Sequence, residues 1–119
     1  MADQDNVRER ISKAWHHHRE GRASDAMKEF QTIVQQFPKD IDANYGLGLA
    51  QKNSGDVDGA IKSFKNALEL IVQSKQSYEA SHEQSQDPDH IKTPEEDRFM
   101  MLTRMVKQRL SELQQSARA

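Results

Sequence analysis

Apolar side chains recur along this chain every three or four residues, the spacing that gathers them on one side of a helix. Val7, Ile11, Ala14 and Trp15 begin the series, with His18 in line, and a polar stretch around Gly21 interrupts it. The pattern resumes with Ala26, Met27, Phe30, Ile33, Val34 and Phe37, then stops at Pro38. A proline ring and its missing N–H cannot continue a helical ladder. Asp40 is placed to cap the next helix. Ala43, Leu47 and Ala50 mark a third helix up to Gly55, and Ala60, Ile61, Phe64, Ala67, Leu68 and Ile71 mark a fourth. Phe99, Leu102, Val106, Leu110 and Leu113 form a last stripe, widened by Met101 and Met105. Five helices are predicted, near 6–19, 23–36, 40–53, 57–83 and 94–116, packed as antiparallel neighbours with no strand.

The punctuation repeats. "REGRASDAMKEF" at 19–30 returns 34 residues later as "NSGDVDGAIKSF", with Gly21 becoming Gly55, Ala26 becoming Ala60, Lys28 becoming Lys62 and Phe30 becoming Phe64. The offset holds from Val7/Ile41 to Phe37/Ile71. Small residues are required where helices cross closely, so Ala14 and Gly48 on the first helix of each unit, and Ala26 and Ala60 on the second, are expected at close-packing sites. Phe30 and Phe64 are expected to fill the space between the units. A 34-residue unit of two helices, with a glycine turn, an A-x-x-x-F run and either L-G or a closing proline, resembles the tetratricopeptide repeat. The resemblance covers about residues 7–74, with one repeat at 7–40 and a second at 41–74. It implies an all-α superhelix of helix–turn–helix repeats, followed by an extension and loop at 75–93 and a C-terminal capping helix at 94–117, all in a single domain.

Three positions depart from the family pattern. Lys13 stands where the first repeat should carry leucine, and Gln51 replaces the usual aromatic, which loosens the match at the outer edge. Val72 replaces the closing proline of the second repeat, so nothing stops the fourth helix near residue 74. No proline occurs from Val57 to Gln84, and Tyr78 continues the apolar side two turns after Ile71. One long helix is expected, fading in "YEASHEQSQ". Asp87–Pro88 then marks a loop. Thr93, Pro94 and Glu96 form a capping box for the last helix. That helix is either the first of a third repeat, displaced by an insertion, or a solvating cap over the apolar end of the stack.

Composition narrows the function classes. Charged residues make up 30% of the chain, yet they nearly cancel to a net charge of −2, so no global field gathers nucleic acid. No run approaches the roughly 20 apolar residues of a membrane span, and the N-terminus has no apolar stretch of signal-peptide type. Cysteine is absent, which excludes disulfides, thiolate metal sites and a cysteine nucleophile. Cytoplasmic residence is expected. There is no Gly-rich phosphate loop and no G-x-S-x-G. Asp56 and Asp58 are read as helix-start residues rather than an acid–base pair. The run His16–His17–His18 suggests a metal, but consecutive helical residues point about 100° apart and cannot converge on one ion. No enzyme activity, cofactor or metal is expected.

In the family, the first helices of the repeats line a concave surface that holds a peptide or a partner's helix. By register, the resemblance implies that the first repeat presents Arg8, Ile11, Ser12, Trp15 and Arg19, with His18 flanking. The second presents Asp42, Tyr45, Gly46, Leu49, Lys52 and Asn53. Ile11, Trp15, Tyr45 and Leu49 would form an apolar strip bordered by basic groups, with Trp15 an anchor of the kind enriched at binding hot spots. Alternatively, the chain covers this strip with its own last helix or loop, since exposed apolar patches require a cover. Some members clamp a C-terminal carboxylate with lysine and asparagine. The matching positions here are Ile11, Trp15 and Gly46, so that clamp is missing. Five Arg or Lys and two Glu lie between Arg8 and Arg22, a local excess suited to an acidic segment. The expected role is a protein-interaction module. The alternative is self-association through the groove or the Met-rich last helix.

Overall fold

The computed structural model describes residues 2–81 and 94–118. Five helices occupy them: α1 (Ala2–Arg19), α2 (Ala23–Gln36), α3 (Ile41–Asn53), α4 (Val57–Ser81) and α5 (Pro94–Arg118). No strand occurs among the described residues. Each helix packs chiefly on its neighbours in the chain, as short connections between antiparallel helices require. The molecule measures 48 × 43 × 21 Å, and its thinnest dimension is that of two helix layers. α1, α3 and α5 make one layer, and α2 and α4 the other. α1 meets α3 directly, whereas α2 and α4 do not pack on one another comparably. The sheet of helices therefore bends toward the α1–α3–α5 side.

The two glycine turns are built alike. Gly21 and Gly55 have φ of 79° and 90°, the left-handed region a side chain disfavours. At the first turn the Arg22 N–H donates to His17 O at 2.9 Å and the Gly21 N–H to His18 O at 3.1 Å. At the second, the Asp56 N–H donates to Gln51 O at 2.9 Å and the Gly55 N–H to Lys52 O at 3.2 Å. Both are Schellman caps, which satisfy the last carbonyls of α1 and α3. Side-chain capping is less regular. The Asp40 carboxylate accepts from the Ala43 N–H at 2.9 Å and the Asp56 carboxylate from the Gly59 N–H at 3.0 Å. Arg22, equivalent to Asp56 by the 34-residue offset, supplies no cap and pairs with Glu20 instead.

The interior has two apolar clusters. One joins Ala14 of α1, Ala26, Phe30 and Ile33 of α2, and Ala43, Leu47 and Ala50 of α3. The other joins Ala60, Phe64, Ala67 and Ile71 of α4 to Phe99, Leu102, Val106, Leu110 and Leu113 of α5. The phenylalanines fit only because glycine faces them. A Cβ at Gly46 would lie 2.3 Å from the Phe30 ring, and one at Gly48 would lie 2.6 Å from the Phe64 ring. This corrects the placement of Gly46 on the groove surface, for it is buried against α2. Gln51 is also corrected. It does not loosen the outer edge: it is buried, and it accepts a 2.6 Å bond from the Ser63 hydroxyl that ties α3 to α4. Lys13 is exposed and pairs with Glu29 at 3.8 Å. Asn44, which the apolar pattern passes over, is buried and donates to Pro38 O at 3.1 Å and Asp40 O at 2.8 Å, clamping the α2–α3 turn.

α4 runs through residue 74 without a break. Its added turns meet α5, with the Tyr78 and Phe99 rings 5.9 Å apart at their centroids. The stripe read from the sequence is the face α5 buries, except that Met101 stands 54% exposed. On the opposite face Arg104, Lys107, Ser111 and Gln114 are all exposed. α5 thus sits where a further helix of the array would sit, and turns a polar side outward. The loop and the Thr93 cap expected before it lie outside the described residues. Truncating a fully buried aromatic leaves a cavity, so Phe64→Ala is expected to cost about 3–5 kcal/mol in a denaturant titration. Unchanged stability would mean the helix register is wrong. Amides of residues 70–76 are expected to exchange slowly with solvent, and coil-like exchange there would contradict a continuous α4.

Candidate protein-binding groove

The inner layer brings several of the expected groove residues together. Trp15 is half-buried, its indole edge-on to Phe30 with centroids 5.2 Å apart, and it leans on Tyr45 at 6.4 Å. His18 meets the same indole at 5.6 Å, and its Nδ1 lies 3.5 Å from the Asn53 amide nitrogen. Tyr45 in turn rests on Phe64 at 5.7 Å. Ile11 and Trp15 pack on the first apolar cluster, and Tyr45 and Leu49 on the second, so the strip straddles both. Arg8, in the second turn of α1, and Arg19, its last residue, are exposed, and neither makes a hydrogen bond or ion pair among the described residues.

α5 contributes residues absent from the sequence-derived set. Its buried stripe is Phe99, Leu102, Val106, Leu110 and Leu113, and beside it Arg109 and Glu112 reach side chains of α3. The Arg109 guanidinium lies beside the Tyr45 hydroxyl and donates to the Glu112 carboxylate, and these neighbours, Tyr45 more than Glu112, hold it above its ordinary pKa. The Arg109–Glu112 approach is 3.2 Å. Glu112 also reaches Lys52 Nζ at 3.7 Å, a part-exposed pair that links α3 to α5. Arg98, one turn into α5, lines a cleft of about 590 Å³ together with Arg8, Ile11 and the α2–α3 turn. A rule of "stripe minus one" would have named Arg98, Arg109 and Glu112 from sequence. The missing information was how α5 is set against α3.

The three histidines have separate surroundings. His16 pairs with Glu20 at 2.9 Å, His18 faces Asn53, and the buried Nδ1 of His17 has no hydrogen-bond partner. Among the described residues no three His, Cys, Asp or Glu side chains are grouped to hold a metal, and no helix is long and apolar enough to cross a membrane.

The link from α3 to α5 carries a pH signature. The Arg109 bond, helped by the charges of Arg109 and Lys52, holds the Glu112 carboxyl below the usual carboxylate range. A carboxyl depressed in the folded state stabilises it above the unfolded pKa, and that contribution fades as pH falls through the folded pKa. A carbon-detected titration should therefore place Glu112 below a typical glutamate, and Arg109→Ala should move it upward. A Glu112 midpoint that ignores Arg109→Ala would refute the pairing.

No curated protein sequence matches the chain. The family comparison is positive: residues 17–81, more than half of the chain, match the tetratricopeptide repeat. This region begins within α1 and ends with α4, taking in both glycine turns and both phenylalanine–glycine contacts. Repeats of this kind generally mediate protein–protein interaction. The chain belongs to the tetratricopeptide repeat family.

Proposed function

We propose that this chain is a non-enzymatic interaction module that holds a peptide or a partner's helix on its inner, α1–α3–α5 face. The contacts would come from Arg8, Ile11, Trp15, His18 and Arg19 on α1 and from Tyr45, Leu49, Lys52 and Asn53 on α3. In this reading residues 7–40 and 41–74 act as two repeats, and 94–117 closes the stack within the same domain. The observation that carries it is the half-buried Trp15, seated on Phe30 and bordered by Tyr45 and His18 with one side left to solvent. A large aromatic fixed by packing yet partly exposed loses little conformational freedom when a partner covers it. Cytoplasmic residence fits a cysteine-free chain of this kind. A second reading, self-association through the last helix, is favoured by one feature, the exposed Met101. Sedimentation over a range of concentrations separates the two, since groove binding alone leaves a monomer.

Trp15→Ala should weaken partner binding by about 2 kcal/mol or more, the size of a hot-spot truncation. Its cost to stability should be well below that of Phe64→Ala, because one side of the indole is already in water. The opposite ranking, with Trp15→Ala unfolding the chain while binding by the folded fraction is unchanged, would make Trp15 a core residue and sink the groove reading.

A further inference from the structure

Charge is distributed unevenly along the inner face. At the end near the two glycine turns three of the cations are matched, with Arg19 the exception: Glu112 serves Lys52 and Arg109, and Glu20 serves Arg22. At the other end lies the 590 Å³ cleft between the start of α1, the α2–α3 turn and the start of α5. Its volume suits one or two side chains of a ligand. Arg8, Lys39 and Arg98 line it from these three elements. All three are exposed, and none makes a hydrogen bond or ion pair among the described residues. Two carboxylates share the cleft. Asp40 is already engaged by the Ala43 N–H, which leaves Asp42 as the one uncommitted anion against three cations among the described residues that line the cleft. The walls between these charges are apolar, formed by Ile11, Phe37 and Ile41, each half-buried.

An apolar wall ringed by unmatched cations selects its ligand. A purely apolar segment would leave three guanidinium or ammonium groups crowded and unpaired at the contact, which is unfavourable. A polyanion such as a nucleic-acid backbone would meet Asp42 and a chain of net charge −2. We propose that the partner segment carries a carboxylate side chain beside an apolar one. The apolar group would rest on Ile11, Phe37 and Ile41, and the carboxylate would bridge Arg8 and Arg98. This rests on the groove reading above and names the chemistry of its ligand. Arg98 makes α5 part of the recognition surface, because among the described residues it is the cation that α5 brings to the cleft.

The test is a display library of random peptides, anchored at both ends so that no terminal carboxylate is presented, selected on the full chain. The selected pool should be rich in Asp or Glu within two positions of a large apolar residue. A selected peptide should lose about tenfold in affinity toward Arg8→Gln or Arg98→Gln, the size of one charge-assisted bond. It should bind Asp42→Asn more tightly and weaken as salt is raised. Both arginines are exposed, so these variants are expected to keep their folded circular dichroism. An apolar pool without acidic enrichment, whose binding still depends on Trp15, overturns this inference and leaves the groove reading intact. Acidic peptides indifferent to both arginine variants also overturn it. Failure to enrich any peptide over bare support removes both readings. A concentration-dependent dimer abolished by Arg98→Gln would assign the cleft to a second copy of the chain and overturn the peptide assignment.

Discussion

Two glycines on one helix determine how closely this structure can pack. Gly46 and Gly48 are two residues apart on α3, and two residues of helix turn about 200°, so they open on nearly opposite sides. One side receives the Phe30 ring from α2 and the other the Phe64 ring from α4, at separations that leave no room for even a methyl group. α3 is thereby held between two helices that each press an aromatic ring against its backbone. Dispersion contacts of this closeness are weak singly and large in sum. They also fix rotation: turning α3 by one residue would replace a notch with a side chain and push a neighbour away. The remaining helices take their positions from this sandwich, α1 through Ala14 and Ala26, and α5 through the cluster around Phe64.

The same two rings connect the interior to the surface. Phe30 lies beneath Trp15 and Phe64 beneath Tyr45, so each buried ring that fills a glycine notch also supports an aromatic on the inner face. The inner face is therefore rigid for the reason that the core is dense. A binding surface placed on such supports has its side-chain entropy largely removed before any partner arrives. The cost is that stability and surface geometry cannot be varied separately at Phe30 or Phe64.

Local chemistry was legible in the sequence, and tertiary chemistry only in part. The positive-φ glycines, the Asp40 and Asp56 caps and the uninterrupted α4 each depend on residues a few positions apart, and each appears where the sequence puts it. α1 begins earlier than the apolar spacing indicates, because its first turn is polar and carries no periodic signal. The buried Gln51 was misread because its partner Ser63 lies on the next helix, and a polar residue at an aromatic position reads as a defect until that hydroxyl is seen. Asn44 was missed for a related reason, since it serves a turn rather than the core. Gly46 was placed by repeat register alone, which cannot tell a residue lining a groove from one a few degrees away that faces the preceding helix. The α5 residues needed the setting of one helix against another, which no periodicity contains.

α5 also limits what the array can become. Its stripe closes the apolar face of α4, and its far side carries Arg104, Lys107, Ser111 and Gln114 in water. A further helix docking there would have to bury two cations without partners, a cost that polar end-caps impose on repeat arrays generally. The described inner face is three helices wide. A surface that short cannot gain affinity by accumulating area, as longer superhelices do, and must concentrate it in a few well-supported groups. Both concentrations of such groups are in view: the Trp15–Tyr45 pair, supported by buried phenylalanines, and the cleft where α1, the α2–α3 turn and α5 converge. Ile11 belongs to both, lying one turn before Trp15 on α1 and forming part of the cleft wall. In the proposed reading, a ligand residue seated in the cleft would place the next part of its chain along α1 toward Trp15. Contact at one seat would then raise the effective concentration at the other, which is how a small three-helix face would discriminate among partners under that proposal.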